Sequence, residues 1–341
     1  MLTVTAEAPT RIDLAGGTLD ITALSQVLDR PRTVNLGINL NAKVSIKESE
    51  DGRFYLHSLD QEKEWSGLWG DLQLAVTLPL FAHLILAAWR EEWPGLVIES
   101  ECQSPAGAGL GGSSCLAICL TQALHQMAYE LGLGKTYSEV ELVRLVQNVE
   151  TKLIHCPTGC QDYWGAIRGR LNVLSFEPQG TVVETIETED AGALADSMIV
   201  CYSGRSRASG MNNWSIFRSV FDGDRQLLDK LNQIGGLARQ MADKIQGNRW
   251  QDVIELSHQE WQLRKSLWPE IETLETKAID QAAIDAGAKF SRVCGAGGGG
   301  VMAVFVDKKK KQHVIQAIEC AGGQVLEATI SDSGLDVRVQ R

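Results

Sequence analysis

Between Ser104 and Thr121 the chain reads Ser104-Pro-Ala-Gly-Ala-Gly-Leu-Gly-Gly-Ser-Ser-Cys-Leu-Ala-Ile-Cys-Leu-Thr121. Gly107, Gly109, Gly111 and Gly112 are crowded together, two serines follow, and an apolar run rich in alanine and leucine begins. Before it, Gly95-Leu-Val-Ile-Glu-Ser-Glu-Cys102 carries the β-branched Val97 and Ile98 and ends at a turn signal, which predicts a strand. After it, Leu116 to Leu131 has apolar residues at helical spacing among good helix formers. A strand, a glycine loop and a helix start in that order tightly limit the fold. Glycine lets the backbone take positive φ and approach a ligand closely. The helix start adds unpaired N–H groups and the positive end of the macrodipole. Such a place binds phosphate.

Three ligand-binding loops fit this pattern unequally. A GxxxxGK[ST] loop requires a lysine before the hydroxyl residue, and Gly112 stands there. Gly107-x-Gly109-x-x-Gly112 does satisfy GxGxxG, but a dinucleotide site also needs a second strand ending in an acid about 20 residues on. Here the helical pattern runs through that distance. Gly295-x-Gly297-x-x-Gly300 satisfies the same pattern, so glycine-rich chains meet it cheaply. The third form is a phosphate loop in which a serine hydroxyl serves as metal ligand. A glycine-rich turn without ligand is the plain alternative.

Composition narrows the classes further. A net charge of −11 argues against a nucleic-acid surface, and the only basic cluster, Lys308–Lys311, predicts the start of a solvated helix. The eight cysteines include no CxxC, which favours reduced thiols in a cytoplasmic protein. His155, Cys156 and Cys160 lack a fourth ligand for zinc. No basic region followed by an apolar run opens the chain, so no signal peptide is expected. The longest apolar stretch, Leu72 to Trp89, contains Pro79 and His83 and reads as a buried helix with no membrane role.

Read in order, Leu2–Ala8 and Arg11–Ala15 alternate like strands. Val34–Glu48 is a long strand with one face buried, and Arg53–Ser58 is expected to pair with it through Glu50-Asp51-Gly52. A helix is expected near Leu72–Glu92. Ser138 with Glu141 has capping-box spacing and starts a helix that runs to about Ile154. A short helix follows over Cys160–Ile167, then a hairpin of Leu171–Phe176 and Thr181–Ile186. The acidic stretch Glu184–Asp196 marks the boundary between domains placed at 1–190 and 191–341. Beyond it come a strand at Ser197–Tyr202, helices near Ser209–Phe221, Asp224–Gln246, Trp250–Leu267 and Glu270–Ala286, and a strand-turn-strand unit over Ser291–Val306. A helix at Lys311–Ala321 and strands at Gln324–Ser331 and Leu335–Val339 end the list. Strands split around helices predict an α+β domain of ferredoxin-like type.

Three motifs in order and spacing resemble the GHMP kinase superfamily: Ala8-Pro-Thr-Arg-Ile-Asp-Leu-Ala-Gly-Gly-Thr-Leu-Asp20, Ser104–Cys115, and Gly295-Ala-Gly-Gly-Gly-Gly-Val-Met302. Within it the chain is most similar to sugar kinases of the heptose 7-phosphate kinase type. The residues behind that are Ala15-Gly-Gly-Thr, Gln161-Asp162-Tyr163, Gly204-Arg-Ser-Arg-Ala-Ser209 and Gly287-Ala-Lys289. The resemblance implies a two-domain fold, with an N-terminal domain like domain 2 of ribosomal protein S5 and a ferredoxin-like C-terminal domain. It also implies ATP and Mg2+ as cofactors and a sugar or sugar phosphate as acceptor, on the anomeric or another hydroxyl. The enzyme is expected in the cytoplasm as a homodimer, with no nucleic-acid or membrane partner. Mevalonate- or homoserine-type kinases and a non-catalytic sugar sensor are the alternatives on the same fold.

The resemblance also implies residue roles. Gly107, Ala108, Gly109, Leu110, Gly111, Gly112, Ser113 and Ser114 would cradle the nucleotide, with Ser113 and Glu150 as metal ligands. Asp162 would take or orient the acceptor proton, and Arg11 would counter phosphoryl charge. Arg11 stands in an otherwise apolar strand, where a charge must be paired or face a cleft. Gly17, Thr18, Asp20, Arg207, Gly297 and Gly298 would bind the acceptor. Carboxylates such as Asp20 suit sugars, and arginine forks such as Arg205 and Arg207 suit phosphate. Each residue has a plainer reading: helix caps for the serines, an exposed ion-pair partner for Glu150, and a first-turn acid for Asp162. A structural ion pair would serve for Arg11, and a tight hairpin for Gly295–Gly300. The first motif reads Gly-Gly-Thr-Leu-Asp where galactokinases carry a Glu-His-Thr-Asp-Tyr type of segment and heptose kinases Gly-Gly-Gly-Thr-Asp.

Overall fold

The computed structural model describes residues 2–187, 191–206 and 211–341, which form two β-sheets clad by helices. The chain opens with β1 (Thr3–Ala15), a single turn of α1 (Thr22–Ser25) and the long β2 (Arg32–Glu48). Two strands were expected where β1 runs unbroken. Its antiparallel register with β2 shifts between Pro9 and Thr10, where proline has no N–H to give the ladder. The shift changes which side chains face which core. Val4, Ala6 and Ala8 enter one hydrophobic core, whereas Ile12 and Leu14 enter the other.

Next come β3 (Phe54–Ser58), β4 (Lys63–Gly67), a 3-10 segment at Trp69–Leu74, α2 (Pro79–Ala88) and β5 (Leu96–Cys102). The hairpin expected between β2 and β3 does not form. β5 lies between them, antiparallel to β2 and parallel to β3. Gly95 makes room for it: a Cβ there would come within 2.3 Å of the Gly52 carbonyl carbon. The helix expected over Leu72–Glu92 begins only at Pro79, where the missing N–H has no intrahelical role.

The following elements are α3 (Gly112–Glu130), α4 (Glu139–Ile154) and α5 (Gln161–Arg168), then β6 (Leu171–Glu177) and β7 (Gly180–Ile186). Ser138 and Glu141 form the expected capping box, and β6 pairs with β7 as the expected hairpin. The 17 residues of β2 span about 55 Å, enough for two partners along one edge. β5 takes Ala42–Glu48 and β6 takes Arg32–Leu36. From Cys115 to Leu124 α3 is buried at all but one residue, so it runs through a core with its start fixed in place.

The chain continues through α6 (Gly192–Asp196), β8 (Met198–Tyr202), α7 (Met211–Phe221), α8 (Arg225–Gln246), α9 (Trp250–Lys265) and α10 (Leu274–Asp285). It then forms β9 (Ala288–Val293), β10 (Val301–Val306), α11 (Lys311–Cys320), β11 (Gln324–Leu326) and β12 (Asp336–Gln340). The strand expected over Gln324–Ser331 is thus cut short. The second sheet is antiparallel in the order β11-β8-β10-β9. β12 leaves it and pairs with β1, so the first sheet runs β12-β1-β2-β5-β3-β4, with β6 and β7 added on β2. The architecture is two-domain α+β. Among the described residues no helix is long and apolar enough to cross a membrane.

Candidate functional site

A cavity of about 410 Å³ opens where α3 starts. All eight residues from Gly107 to Ser114 line it, together with Arg11, Thr18, Asp20, Glu150 and Asp162. Gly111 is the N-cap of α3 and holds φ at +77°. A Cβ at Gly111 would lie 2.9 Å from Asp162 Cγ, so glycine lets the loop pass directly over that carboxylate. The first amides of α3 have no intrahelical acceptor, as at any helix start.

The loop's carbonyls are tied back into the protein. The Arg11 amide donates to Leu110 O at 3.1 Å, and Arg11 Nη1 donates to Gly109 O at 2.7 Å. The Val301 amide donates to Ala108 O at 2.7 Å, and Ser206 Oγ to Ala106 O at 3.0 Å. Carbonyl oxygens engaged by protein donors do not repel an anion above the loop, which suits a phosphate cradle. β10 and the segment after β8 therefore brace a loop that belongs to the first sheet.

Arg11 reaches the helix side of the sheet beside Gly165, where a Cβ would stand 3.1 Å from its own Cβ. Its Nε donates to Asp162 Oδ1 at 2.7 Å, and Nη2 pairs with the same oxygen. Burial alone would lower the Arg11 pKa, but Asp162 and Asp13 more than reverse this and hold the guanidinium charged. The Asp162 side chain keeps 25% exposure, so its carboxylate stays open to the cavity. Both readings of Arg11 are therefore met, a paired charge and a cleft-facing one.

Glu150 is buried, and the exposed ion pair considered for it does not exist. Ser113 Oγ donates to its Oε1 at 3.2 Å and Ser114 Oγ to its Oε2 at 2.9 Å. Burial raises the Glu150 pKa, and hydrogen bonds from Tyr163 and the two serines only partly offset it. Neither serine caps α3, because Gly111 holds that position.

The same cavity is also lined by Thr18, Asp20, Gln161, Asn213, Arg264, Gly295 and Ala296. Asp20 Oδ2 accepts from the Gln161 amide at 2.9 Å, at the first residue of α5, so it also serves the helix start. Burial, answered only in part by that amide, lifts the Asp20 pKa to about 6. Thr18 holds φ at +77° and donates from Oγ1 to Asn213 Oδ1 at 3.0 Å. Gly17 packs against the Arg264 guanidinium and does not line the cavity. Gly297 and Gly298 do not line it either. Gly297 lies against Ile271 and the Gly298 amide donates to Ile271 O at 2.8 Å, because this part of the loop turns toward the segment before α10. Their neighbours Gly295 and Ala296 take the cavity wall. Arg207 and Ser209 lie outside the described residues, and Arg205 pairs with Glu275 at 3.4 Å.

Four mutually paired charged residues escape sequence reasoning: Asp13, Glu260, Arg264 and Arg292, all almost fully buried. Asp13 and Arg292 carry the same signal that singles out Arg11, a charge in an apolar strand. Glu260 and Arg264 look like an ordinary i, i+4 surface pair on α9.

The chain matches the GHMP kinases N terminal domain over residues 79–170 and the GHMP kinases C terminal domain over residues 241–324. It is 24% identical to the D-glycero-alpha-D-manno-heptose 7-phosphate kinase of Campylobacter jejuni over 345 residues, covering 98% of each chain. A mevalonate kinase of Thermococcus gammatolerans is 25% identical over 245 residues, covering 71% of this chain and 69% of that one. In structure it resembles a D-glycero-D-manno-heptose 1-phosphate kinase from Bacteriodes thetaiotaomicron, with a TM-score of 0.76 at 22% identity over 98% of both chains. Together with the glycine loop, the buried Glu150 and the Arg11–Asp162 pair in one cavity, these matches establish that the chain belongs to the GHMP kinase family.

Proposed function

We propose that the protein is an ATP-dependent sugar kinase that phosphorylates a hydroxyl of a sugar or sugar phosphate of the heptose 7-phosphate class. The observation that carries this reading is the close approach of Gly111 to Asp162, which sets a phosphate-binding helix start beside an open carboxylate. Phosphoryl transfer asks chiefly for positioning and charge neutralisation. The triphosphate lies on the amides of Gly107–Ser114. Arg11 neutralises charge on the moving phosphoryl group and holds Asp162. Asp162 accepts the acceptor's hydroxyl proton or orients that hydroxyl. Asp20 and Thr18 bind the neighbouring sugar hydroxyls.

Ser113, Ser114 and Glu150 form an all-oxygen donor set around one buried carboxylate, and such a set suits Mg2+. When bound there, the ion neutralises charge on the phosphate oxygens. None of the eight cysteines joins a disulfide among the described residues, which fits a reducing, cytoplasmic setting.

The test is ADP release with ATP and Mg2+ against heptose 7-phosphate, free sugars, mevalonate and homoserine. Heptose 7-phosphate or a related sugar should be consumed, and Asp162→Ala should lose about 1,000-fold in turnover with nucleotide binding near normal. Wild-type turnover by that variant would overturn the role of Asp162. Consumption of mevalonate alone would overturn the sugar assignment, and no ADP release with any acceptor would favour a sensor.

A further inference from the structure

Asp13 on β1, Glu260 and Arg264 on α9, and Arg292 on β9 are each at most 1% exposed. Full charges tolerate such burial only when they answer one another. Arg264 Nη1 lies 3.1 Å from Asp13 Oδ2 and 3.8 Å from Glu260 Oε1. Arg292 Nη2 lies 3.3 Å from Asp13 Oδ2, and its Nη1 lies 3.1 Å from Glu260 Oε2. Two cations and two anions thus close into a neutral cluster.

Besides Ser257 Oγ, which accepts from Arg292 Nη1 at 3.0 Å, the cluster's further bonds go to backbone, and to two turns in particular. Asp13 Oδ1 accepts from the Gly295 amide at 2.8 Å, and Arg264 Nη2 donates to the Gly295 carbonyl at 2.7 Å. Glu260 Oε1 accepts from the Gly16 amide at 3.0 Å. Gly16 begins the turn that carries Thr18 and Asp20 into the cavity, and Gly295 begins the loop whose first two residues line it. A Cβ on Gly17 would sit 2.0 Å from Arg264 Nη1, so the turn is moulded on the guanidinium. Buried ion clusters add little net stability over an apolar filling, so stability alone does not account for one built between two cavity walls.

We infer that Arg264 is a positioning residue, one that fixes the Gly16–Asp20 turn against the Gly295–Ala296 loop and thereby sets the geometry of the acceptor end and not that of the nucleotide loop. The inference rests on the acceptor site assigned above. Its flat fork makes two separate bonds, which a lysine ammonium cannot reproduce in the same geometry.

The test compares wild type with Arg264→Lys, which keeps the cluster neutral, in steady-state assays with ATP, Mg2+ and heptose 7-phosphate. The acceptor kcat/KM should fall about 100-fold while the KM for ATP stays within about twofold. A variant that only melts earlier, with unchanged constants per folded enzyme, would refute the inference, as would equal losses for both substrates. Should Arg264→Lys fail to fold, Gly17→Ala keeps every charge and displaces the guanidinium sterically. It should give the same split, and unchanged kinetics would refute the inference equally. If wild type consumes neither heptose 7-phosphate nor a related sugar, the acceptor assignment fails, and hydrogen exchange decides the positioning role alone. Amides of 16–20 and 295–298 should exchange at least about tenfold faster in the variant, with 107–114 unchanged. Uniform acceleration, or none, would overturn it.

Discussion

Asp13 and Asp20 leave the same stretch of chain, both nearly inaccessible to solvent, and meet opposite fates. Burial pushes the Asp13 carboxyl up, but Arg264 and Arg292 more than offset it and hold its pKa at about 2. For Asp20 burial dominates: backbone amides offset it only in part, Arg11 helps least and Asp162 works against it, so the pKa rises to about 6. The difference lies in what each environment finishes. The surroundings of Asp13 are complete and its charge is spent on holding backbone. Those of Asp20 are incomplete on the cavity side, and a ligand with hydroxyl donors would complete them. Environments that push similar acids apart in this way mark where structure ends and chemistry begins.

Removing the charge of Asp13 breaks that contrast most sharply. Asp13→Asn leaves two arginines facing one glutamate, and loss of one partner from a buried ionic group costs about 3–5 kcal/mol. Urea unfolding at pH 7 should register that loss, and a variant within about 1 kcal/mol of wild type would contradict the account of the cluster.

The same change at Asp20 should act in the other direction. An acid whose pKa rises from 3.8 to about 6 on folding binds its proton more tightly in the native state. Its contribution is therefore whole below pH 4 and is lost as pH climbs through 6. Asp20→Asn should gain up to about 3 kcal/mol at pH 7, and the gain should vanish near pH 4. The more stable enzyme should bind its acceptor worse. Unfolding curves at the two pH values decide the matter, since a gain that persists at pH 4 cannot come from this carboxyl.

Glu150 is an intermediate case, a buried carboxylate answered by hydroxyls alone. Ser113→Ala should raise the Mg2+ concentration for half-maximal rate about tenfold, the lower end for losing a group that orients a metal site. Ser114→Ala provides the matched control on the other oxygen. Identical magnesium titrations for wild type and Ser113→Ala would remove Ser113 from the metal site.

What could be read in the sequence follows the range of the forces involved. The strand over Leu96–Cys102, the capping box at Ser138 and the hairpin after Leu171 depend on neighbours in the chain, and each stands where local reasoning puts it. The parallel partner of β3 is a strand that arrives some forty residues later, which no local pattern announces. The site divides in the same way. The motifs supply Arg11, the glycine loop and Asp162, and the fold brings them together. Another part of the cavity wall comes from Asn213, Arg264 and Gly295, whose meeting with Thr18 and Asp13 is purely tertiary. Glu260 and Arg264 on one helix face mimic a solvent-facing pair, and only packing against β1 and β9 reveals otherwise.

The docking of β12 onto β1 has a consequence for how the molecule is made. During translation the outer edge of the first strand waits, its hydrogen-bonding groups unmet, until every element of the second sheet has left the ribosome. A nascent chain with an exposed edge invites pairing with its neighbours. The early half can thus bury its core at once, but it cannot seal its own rim, and the two halves must mature on one schedule.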